Sequence, residues 1–197
     1  MSAPSSAARQ RVLADYAPDV ALRNVMMVAG GVLLTALAAQ VSVPLPFTPV
    51  PVSGQTFAVL ALAAAFGPGR AVITQAAYWA VGLVGVPVFA DASGGVQVAF
   101  GATGGYLVGF MAASLVVGTM ARRGLDRSPL TMVAAWAAGS LTIYAFALPW
   151  LAAVTGSGLS ETLAMGLYPF VVGDIVKAAL AALAVPGLWK LVRGNKE

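Results

Sequence analysis

The sequence predicts an all-α integral membrane protein with six transmembrane helices and both termini in the cytoplasm, and three observations support this fold class. Hydrophobic residues make up 59% of the 197 residues and charged residues only 9%, whereas a typical soluble domain carries about 25% charged residues. The charges lie in clusters separated by long uncharged stretches, and most basic residues fall on one side of the resulting bundle. The composition excludes a disordered chain and argues against a soluble enzyme.

The uncharged stretches define the spans, because a helix that crosses a bilayer needs roughly 20 apolar residues. The stretch 24–69 is divided by residues 44–51, where four prolines in eight residues prevent a helix. The Gly-rich segment 87–103 and the polar segment 156–161 are interpreted as loops, and Pro149 is expected to kink its helix. The predicted spans are residues 24–43, 53–66, 70–86, 104–121, 129–154 and 167–191.

The basic residues predict the orientation of this single membrane domain. Ten of the 11 Lys and Arg residues fall in the N-terminal segment 1–23, the loops after spans 2 and 4, and the region from residue 190 onward, which includes the C-terminal tail 192–197. Cytoplasmic loops are enriched in Lys and Arg. We therefore expect the bundle 24–191 to lie in the cell membrane of a bacterium or archaeon, with both termini cytoplasmic.

The residue types argue against several chemistries. Cys and His are both absent, which removes Cys nucleophiles, His bases, disulfides and metal sites built on nitrogen or sulfur ligands. No lysine lies in a phosphate-binding loop, and no basic stripe beside aromatic residues indicates nucleic-acid binding. We expect neither an enzyme, nor a metal site, nor a bound cofactor.

One pair of charges departs from the pattern, because Asp174 and Lys177 lie within the sixth span. Their spacing of three residues places them on one helix face. A charge at that depth costs about 2.5–3.5 kcal/mol. The pair either forms a salt bridge that only supports packing or binds a polar ligand from the outer side, and both interpretations remain open at this point.

Aromatic and neutral polar residues collect near the predicted outer ends of the spans. They form either an interfacial aromatic belt or the walls of a pocket for a small amphipathic molecule. These residues are Phe47, Phe89, Tyr106, Gln55, Thr48 and Thr103.

Small residues recur every four positions in the first and fourth spans, as in helices that approach closely. The strips serve either packing inside the bundle or docking to another membrane subunit. They consist of Gly31, Thr35 and Ala39 in the first span and of Gly105 and Gly109 in the fourth.

Four segments in order resemble the BioY family, the biotin-binding S components of energy-coupling-factor (ECF) vitamin transporters. They are residues 44–56 (PLPFTPVPVSGQT), Tyr78 with residues 82–90 (GLVGVPVFA), residues 101–110 (GATGGYLVGF) and residues 169–177 (PFVVGDIVK). One departure is Ala102, where the family usually has Pro.

The resemblance implies a six-helix subunit that binds biotin from outside and has no ATPase of its own. It implies assembly with a membrane coupling subunit (EcfT- or BioN-like) and cytoplasmic ATPases (EcfA- or BioM-like). It also implies that Gly31, Thr35 and Ala39 contact the coupling subunit. An S component for another vitamin and a stand-alone small-solute carrier remain alternatives. The residues expected at the ligand are Asp174, Lys177, Gln55, Thr48, Phe47, Phe89, Thr103, Gly104, Gly105, Tyr106 and Tyr78.

Overall fold

The structure is a computed structural model that describes residues 20–194, and the side chains of residues 21–187. The predictions for most of the N-terminal segment 1–23 and for the end of the tail 192–197 lie outside the described residues. The order of the elements is α1 (Val20–Gln40), β1 (Ser42–Val43), β2 (Val52–Ser53), α2 (Gln55–Phe66), α3 (Pro68–Leu83), a 3-10 turn (Ala90–Ala92), α4 (Val96–Ala99), α5 (Gly104–Arg122), α6 (Pro129–Thr155), α7 (Leu159–Gly166) and α8 (Tyr168–Gly194).

The predicted all-helical membrane fold is confirmed in its coarse form. Within the described part of the chain, α1, α5, α6 and α8 are long and apolar enough to cross a membrane. Helix α2 is apolar but has only 12 residues, and α3 has 16. Each of these six helices overlaps one of the predicted spans, with ends that differ by a few residues.

Two segments that were interpreted as loops contain helical structure. Residues 156–161 include the start of α7, whose first turn carries Glu161, and a carboxylate there interacts favourably with the positive end of the helix dipole. Residues 87–103 contain the 3-10 turn and α4. Helix α6 continues through Pro149 without interruption.

The proline-rich segment connects two short antiparallel strands. Ser42 of β1 pairs with Ser53 of β2, and Val43 pairs with Val52. Prolines cannot donate backbone hydrogen bonds to a ladder, so the pairing stops where the prolines begin. This hairpin, the 3-10 turn and α4 lie between the long helices and supply part of the wall of the cavity described below.

Helix α5 forms the centre of the bundle, with 61% of its membrane-length window buried, against 17–28% for α1, α6 and α8. Its glycines allow direct contact with the backbone of α6. A Cβ on Gly105 would lie 2.4 Å from Cβ of Trp150, and one on Gly109 would lie 3.0 Å from Cα of Ile143. The small-residue strip of α5 therefore serves packing inside the bundle.

The small-residue strip of α1 faces α3. Thr35 and Ala39 are completely buried, and a Cβ on Gly31 would lie 2.7 Å from Cγ2 of Thr74. The Thr35 hydroxyl donates to the carbonyl of Gly31 (2.8 Å). This placement favours internal packing, and contact of these residues with a coupling subunit stays a prediction.

Candidate functional site

A cavity of about 320 Å³ lies between α2, α5, α6 and α8 and the segments that connect α1 to α5. Its walls are mostly apolar, with a few polar and charged groups. Six of the eleven predicted ligand residues line it: Asp174, Lys177, Gln55, Phe89, Thr103 and Tyr106.

The helix side of the cavity, which we define as Tyr144, Asp174 and Lys177, carries an ion pair. The ammonium nitrogen of Lys177 lies 3.7 Å from Oδ1 of Asp174, and the two side chains are 15% and 14% exposed. The hydroxyl of Tyr144 on α6 donates to the other carboxylate oxygen. Since all three residues line the cavity, the pair borders open space and is not sealed among aliphatic side chains.

The end of β2 and the start of α2 fix the position of the lysine head group. Nζ of Lys177 donates to the carbonyl oxygen of Ser53 (2.8 Å) and to the hydroxyl of Thr56 (2.7 Å). These partners precede Lys177 by 124 and 121 residues in the chain. Hydrogen bonds to charged groups contribute about 1.5–3 kcal/mol, so Ser53 and Thr56 hold the ammonium group beside Asp174.

Tyr78 lies behind the wall and orients Gln55. The side-chain amide of Gln55 donates to the Tyr78 hydroxyl (2.7 Å), which in turn donates to the carbonyl of Val88 (2.9 Å). Tyr78 is 1% exposed and does not line the cavity. Its placement indicates that it supports Gln55, and direct contact between Tyr78 and a ligand stays a prediction.

The aromatic wall combines Phe89, Tyr106 and Phe170. The hydroxyl of Tyr106 donates to the carbonyl of Gly166 (2.6 Å), and its ring centroid lies 5.9 Å from that of Phe170. Phe89 packs edge-on against Tyr78. It also occupies the space above Gly82, where a Cβ would lie 2.1 Å from the Phe89 ring, so any larger residue at position 82 would displace Phe89.

Four other predicted ligand residues lie outside the cavity wall. Phe47 is 60% exposed, and the Thr48 hydroxyl donates to the carbonyl of Met165 (2.9 Å), which attaches the hairpin loop to α7. Gly104 and Gly105 contact Trp150 of α6. These four residues shape the surroundings of the cavity, and their contact with a ligand stays a prediction.

The loop side of the cavity, which we define as Asp91, Ser93 and Gln97, was not predicted. Asp91 Oδ1 accepts a hydrogen bond from the Ser42 hydroxyl (2.5 Å). Gln40 accepts from the backbone N–H of Ala92 (3.0 Å) and donates to the carbonyls of Phe89 (3.1 Å) and Ala36 (3.1 Å). The end of α1 thus fixes a turn in which Asp91 has a φ of +57°.

Sequence reasoning also missed Tyr144 and Thr56, which bind the two charged side chains directly. Tyr144 lies one helical turn from Ser140 on α6, and both residues line the cavity. A polar stripe on an otherwise apolar helix was a usable signal for these positions. Among the described residues no cluster of three or more acidic, Cys or His side chains could hold a metal ion.

This chain is similar to a family model, to individual relatives and to a solved structure. The BioY family model matches residues 9–194. A probable biotin transporter BioY of Pyrococcus horikoshii is 36% identical over 161 residues, which are 82% of this chain and 93% of the relative. The biotin transporter BioY of Thermotoga maritima is 32% identical over 165 residues, which are 84% and 96% of the two chains.

A solved structure shares the fold. It is the crystal structure of an S-component for biotin from an ECF-type ABC transporter, with a TM-score of 0.74 and 22% sequence identity. The match covers 88% of this chain and 95% of that one. The family model spans nearly the whole chain, the relatives match over most of their length, and the helices have the same arrangement. The chain described here therefore belongs to the BioY family.

Proposed function

We propose that this chain is the substrate-capture subunit of an ECF-type vitamin transporter and that it binds biotin with high affinity. The observation that carries the proposal is the cavity, in which an ion pair from one helix lies beside an aromatic wall. At about 320 Å³ it is at the small end of the range of ligand pockets, roughly 300–1,000 Å³. Intramembrane ionisable groups usually mark a substrate pathway.

The chemistry of biotin complements both parts of the cavity. Its ureido ring has two N–H donors and one carbonyl acceptor, while ionised Asp174 only accepts and Lys177 only donates hydrogen bonds. Charge-assisted hydrogen bonds are about twice as strong as neutral ones. The fused thiophane ring and the valeryl chain are apolar and fit against Phe89, Tyr106 and Phe170.

The proposed topology has six membrane spans and cytoplasmic termini. Helices α2 and α3 are shorter than a bilayer requires, but α2 has buried residues along its whole length. Neighbouring helices can shield a short span from lipid. Arg70, Arg122, Arg123 and Arg127 lie in or beside the loops after α2 and α5, and this distribution supports a cytoplasmic location for those loops.

The proposed partners are a membrane coupling subunit and cytoplasmic ATPases, which would supply the energy for release into the cell. The fold resemblance to an S-component supports this assembly. In this arrangement the chain is a transport subunit and not an enzyme. Because the small residues of α1 are buried, contact with a coupling subunit would use the exposed face of α1, which includes Leu33 and Leu37.

Calorimetric titration of the purified protein with biotin in detergent tests the function. We expect a dissociation constant below micromolar. Asp174→Asn and Lys177→Met should each weaken binding by about 1.5–3 kcal/mol, since each removes a charged hydrogen-bonding partner. Glu161→Gln is a matched control, because Glu161 is exposed on α7 and does not line the cavity.

Two results would contradict the proposal. Biotin that fails to bind below micromolar would exclude high-affinity capture, and unchanged affinity in both variants would remove the ion pair from the site. A thermal-shift screen of other vitamins would then identify the ligand, because a ligand of the native state raises the melting temperature. A turnover assay with biotin precursors would test the remaining possibility of catalysis.

A further inference from the structure

The charges that line the cavity are unevenly distributed. Of the described residues in its wall, two are carboxylates, Asp91 and Asp174, and one is a cation, Lys177. The lining therefore has a formal charge of −1 at neutral pH. Free biotin carries its own carboxylate, so its charge would enter a cavity whose wall is already negative.

The cation of the helix side has few hydrogen bonds left for a ligand carboxylate. An ammonium group has three donors. Lys177 directs two of them to Ser53 and Thr56 and lies 3.7 Å from Asp174. A ligand carboxylate at this position could accept only the one remaining donor and would lie beside a second anion, Asp174. A neutral ureido ring avoids this repulsion and can donate its N–H groups to Asp174, so the ring end belongs at the helix side.

The loop side would then face the tail of the ligand. Ser93 and Gln97 are neutral there, and Asp91 is the charged group. Ser42 of β1 holds Asp91, whereas Lys177 bonds to Ser53, the residue paired with Ser42 on β2. The two charged groups are therefore held by different strands of the hairpin.

Hydrogen bonds hold Asp91 within its turn. Its carboxylate bonds to Ser42, its following N–H bonds to Gln40, and Phe89 pairs with Ser93 across the turn. A residue with positive φ is uncommon outside glycine and needs such support. The hydrogen bond to Ser42 thus restrains the carboxylate of Asp91, which is an exposed residue of the cavity lining.

We infer that the cavity favours ligands with a neutral or cationic tail, so that amides of biotin bind more tightly than the free acid. The inference rests on the proposed function and specifies its substrate class: biotin joined through its carboxyl carbon to an amine. Amide formation removes the negative charge of the tail, and an amine-bearing substituent adds a positive charge that Asp91 attracts.

The test compares three probes by calorimetry on the full chain at low and physiological salt. The probes are free biotin, biotinamide and the monoamide of biotin with ethylenediamine, which ends in an ammonium group. We expect biotinamide to bind about two- to fivefold more tightly than biotin, because it lacks one negative charge whose repulsion solvent partly screens. The ammonium probe adds a positive charge and should bind more tightly still. The differences should shrink as salt rises.

The variant Asp91→Asn tests whether the charge of Asp91 causes the preference among the three probes. Asparagine tolerates positive φ and keeps an oxygen for Ser42, so the turn is preserved. The variant should bring free biotin and the ammonium probe to within about twofold of each other. Glu161→Gln should leave the differences between the three probes unchanged.

The outcomes separate the inference from the function on which it rests. If none of the three probes binds, the proposed function fails and the inference fails with it. If free biotin binds at least as tightly as biotinamide, the inference is overturned while biotin capture stands. A preference for the ammonium probe that persists in Asp91→Asn would equally overturn the role of Asp91.

Discussion

The two sides of the cavity are built in different ways. On the helix side, Tyr144, Asp174 and Lys177 lie within α6 and α8, and Lys177 donates to Ser53 of β2 and Thr56 of α2. On the loop side, Asp91, Ser93 and Gln97 belong to short elements between α3 and α5. The first group is positioned by long helices that pack along their length. The second is positioned by individual hydrogen bonds to the end of α1.

This difference indicates that the two sides contribute differently to ligand binding. Helices that pack through many side chains keep charged groups in place before a ligand arrives, which lowers the entropy lost on binding. Connecting segments have fewer buried contacts and are more mobile. We therefore expect the helix side to determine most of the affinity and the loop side to determine selectivity and the rate of ligand release.

Among variants that keep both charges and the aromatic wall, the largest effect is expected at Tyr144. Replacement by Phe removes the hydrogen bond to the Asp174 carboxylate and keeps the ring, so biotin binding should weaken roughly tenfold or more. Calorimetry measures the change, with Tyr168→Phe as a control because Tyr168 is 60% exposed and absent from the cavity wall. Equal affinities in both variants would show that Tyr144 does not position Asp174 for binding.

Much of the fold could be predicted because it follows from properties that are local in sequence. Uncharged stretches of sufficient length predict helices, and the proline-rich segment marks the break between α1 and α2. The ion pair was visible as well, since its members are three residues apart on an apolar helix. Helix α7 was missed because it is short and follows a polar turn at Gly156 and Gly158, which resembles an ordinary loop.

The rest of the site depends on contacts between distant residues. Nothing near Lys177 in the sequence indicates that Ser53 and Thr56 accept its hydrogen bonds. Likewise, the position of Phe89 depends on the space above Gly82. The strip on α1 shows the converse problem, because small residues at four-residue spacing predict close approach but not whether the neighbour belongs to the same chain.

A smaller effect is expected at Gln40, which supports the loop side without lining the cavity. Gln40→Met removes its hydrogen bonds to Ala36, Phe89 and Ala92 and keeps a similar side-chain length. Each of these hydrogen bonds contributes about 0.5–1.5 kcal/mol to the stability of the loop side, and water can replace part of that contribution. A less stable loop side should let biotin dissociate about two- to fivefold faster.

Stopped-flow displacement of a fluorescent biotin derivative gives the rate for Gln40→Met, and the melting temperature of the ligand-free protein serves as the control. Gln40→Glu keeps the acceptor for Ala92 and loses the donors, so it should have an intermediate rate. A slower association with unchanged dissociation would contradict the assignment of release to the loop side.

The smallest effect is expected at Phe47, which the sequence placed at the ligand and the structure places at the surface. Phe47→Ala should leave biotin affinity within about twofold, because a side chain that is 60% exposed makes few contacts that its removal could disrupt.

Phe89→Ala is the matched comparison, since Phe89 is 3% exposed and lines the cavity. Its truncation should weaken binding by tenfold or more, as loss of a buried aromatic wall removes several kcal/mol of apolar contact. A large loss of affinity in Phe47→Ala would mean that the hairpin loop moves onto the ligand. Residues 44–51 would then belong to the adjustable loop side, beside the preformed helix side.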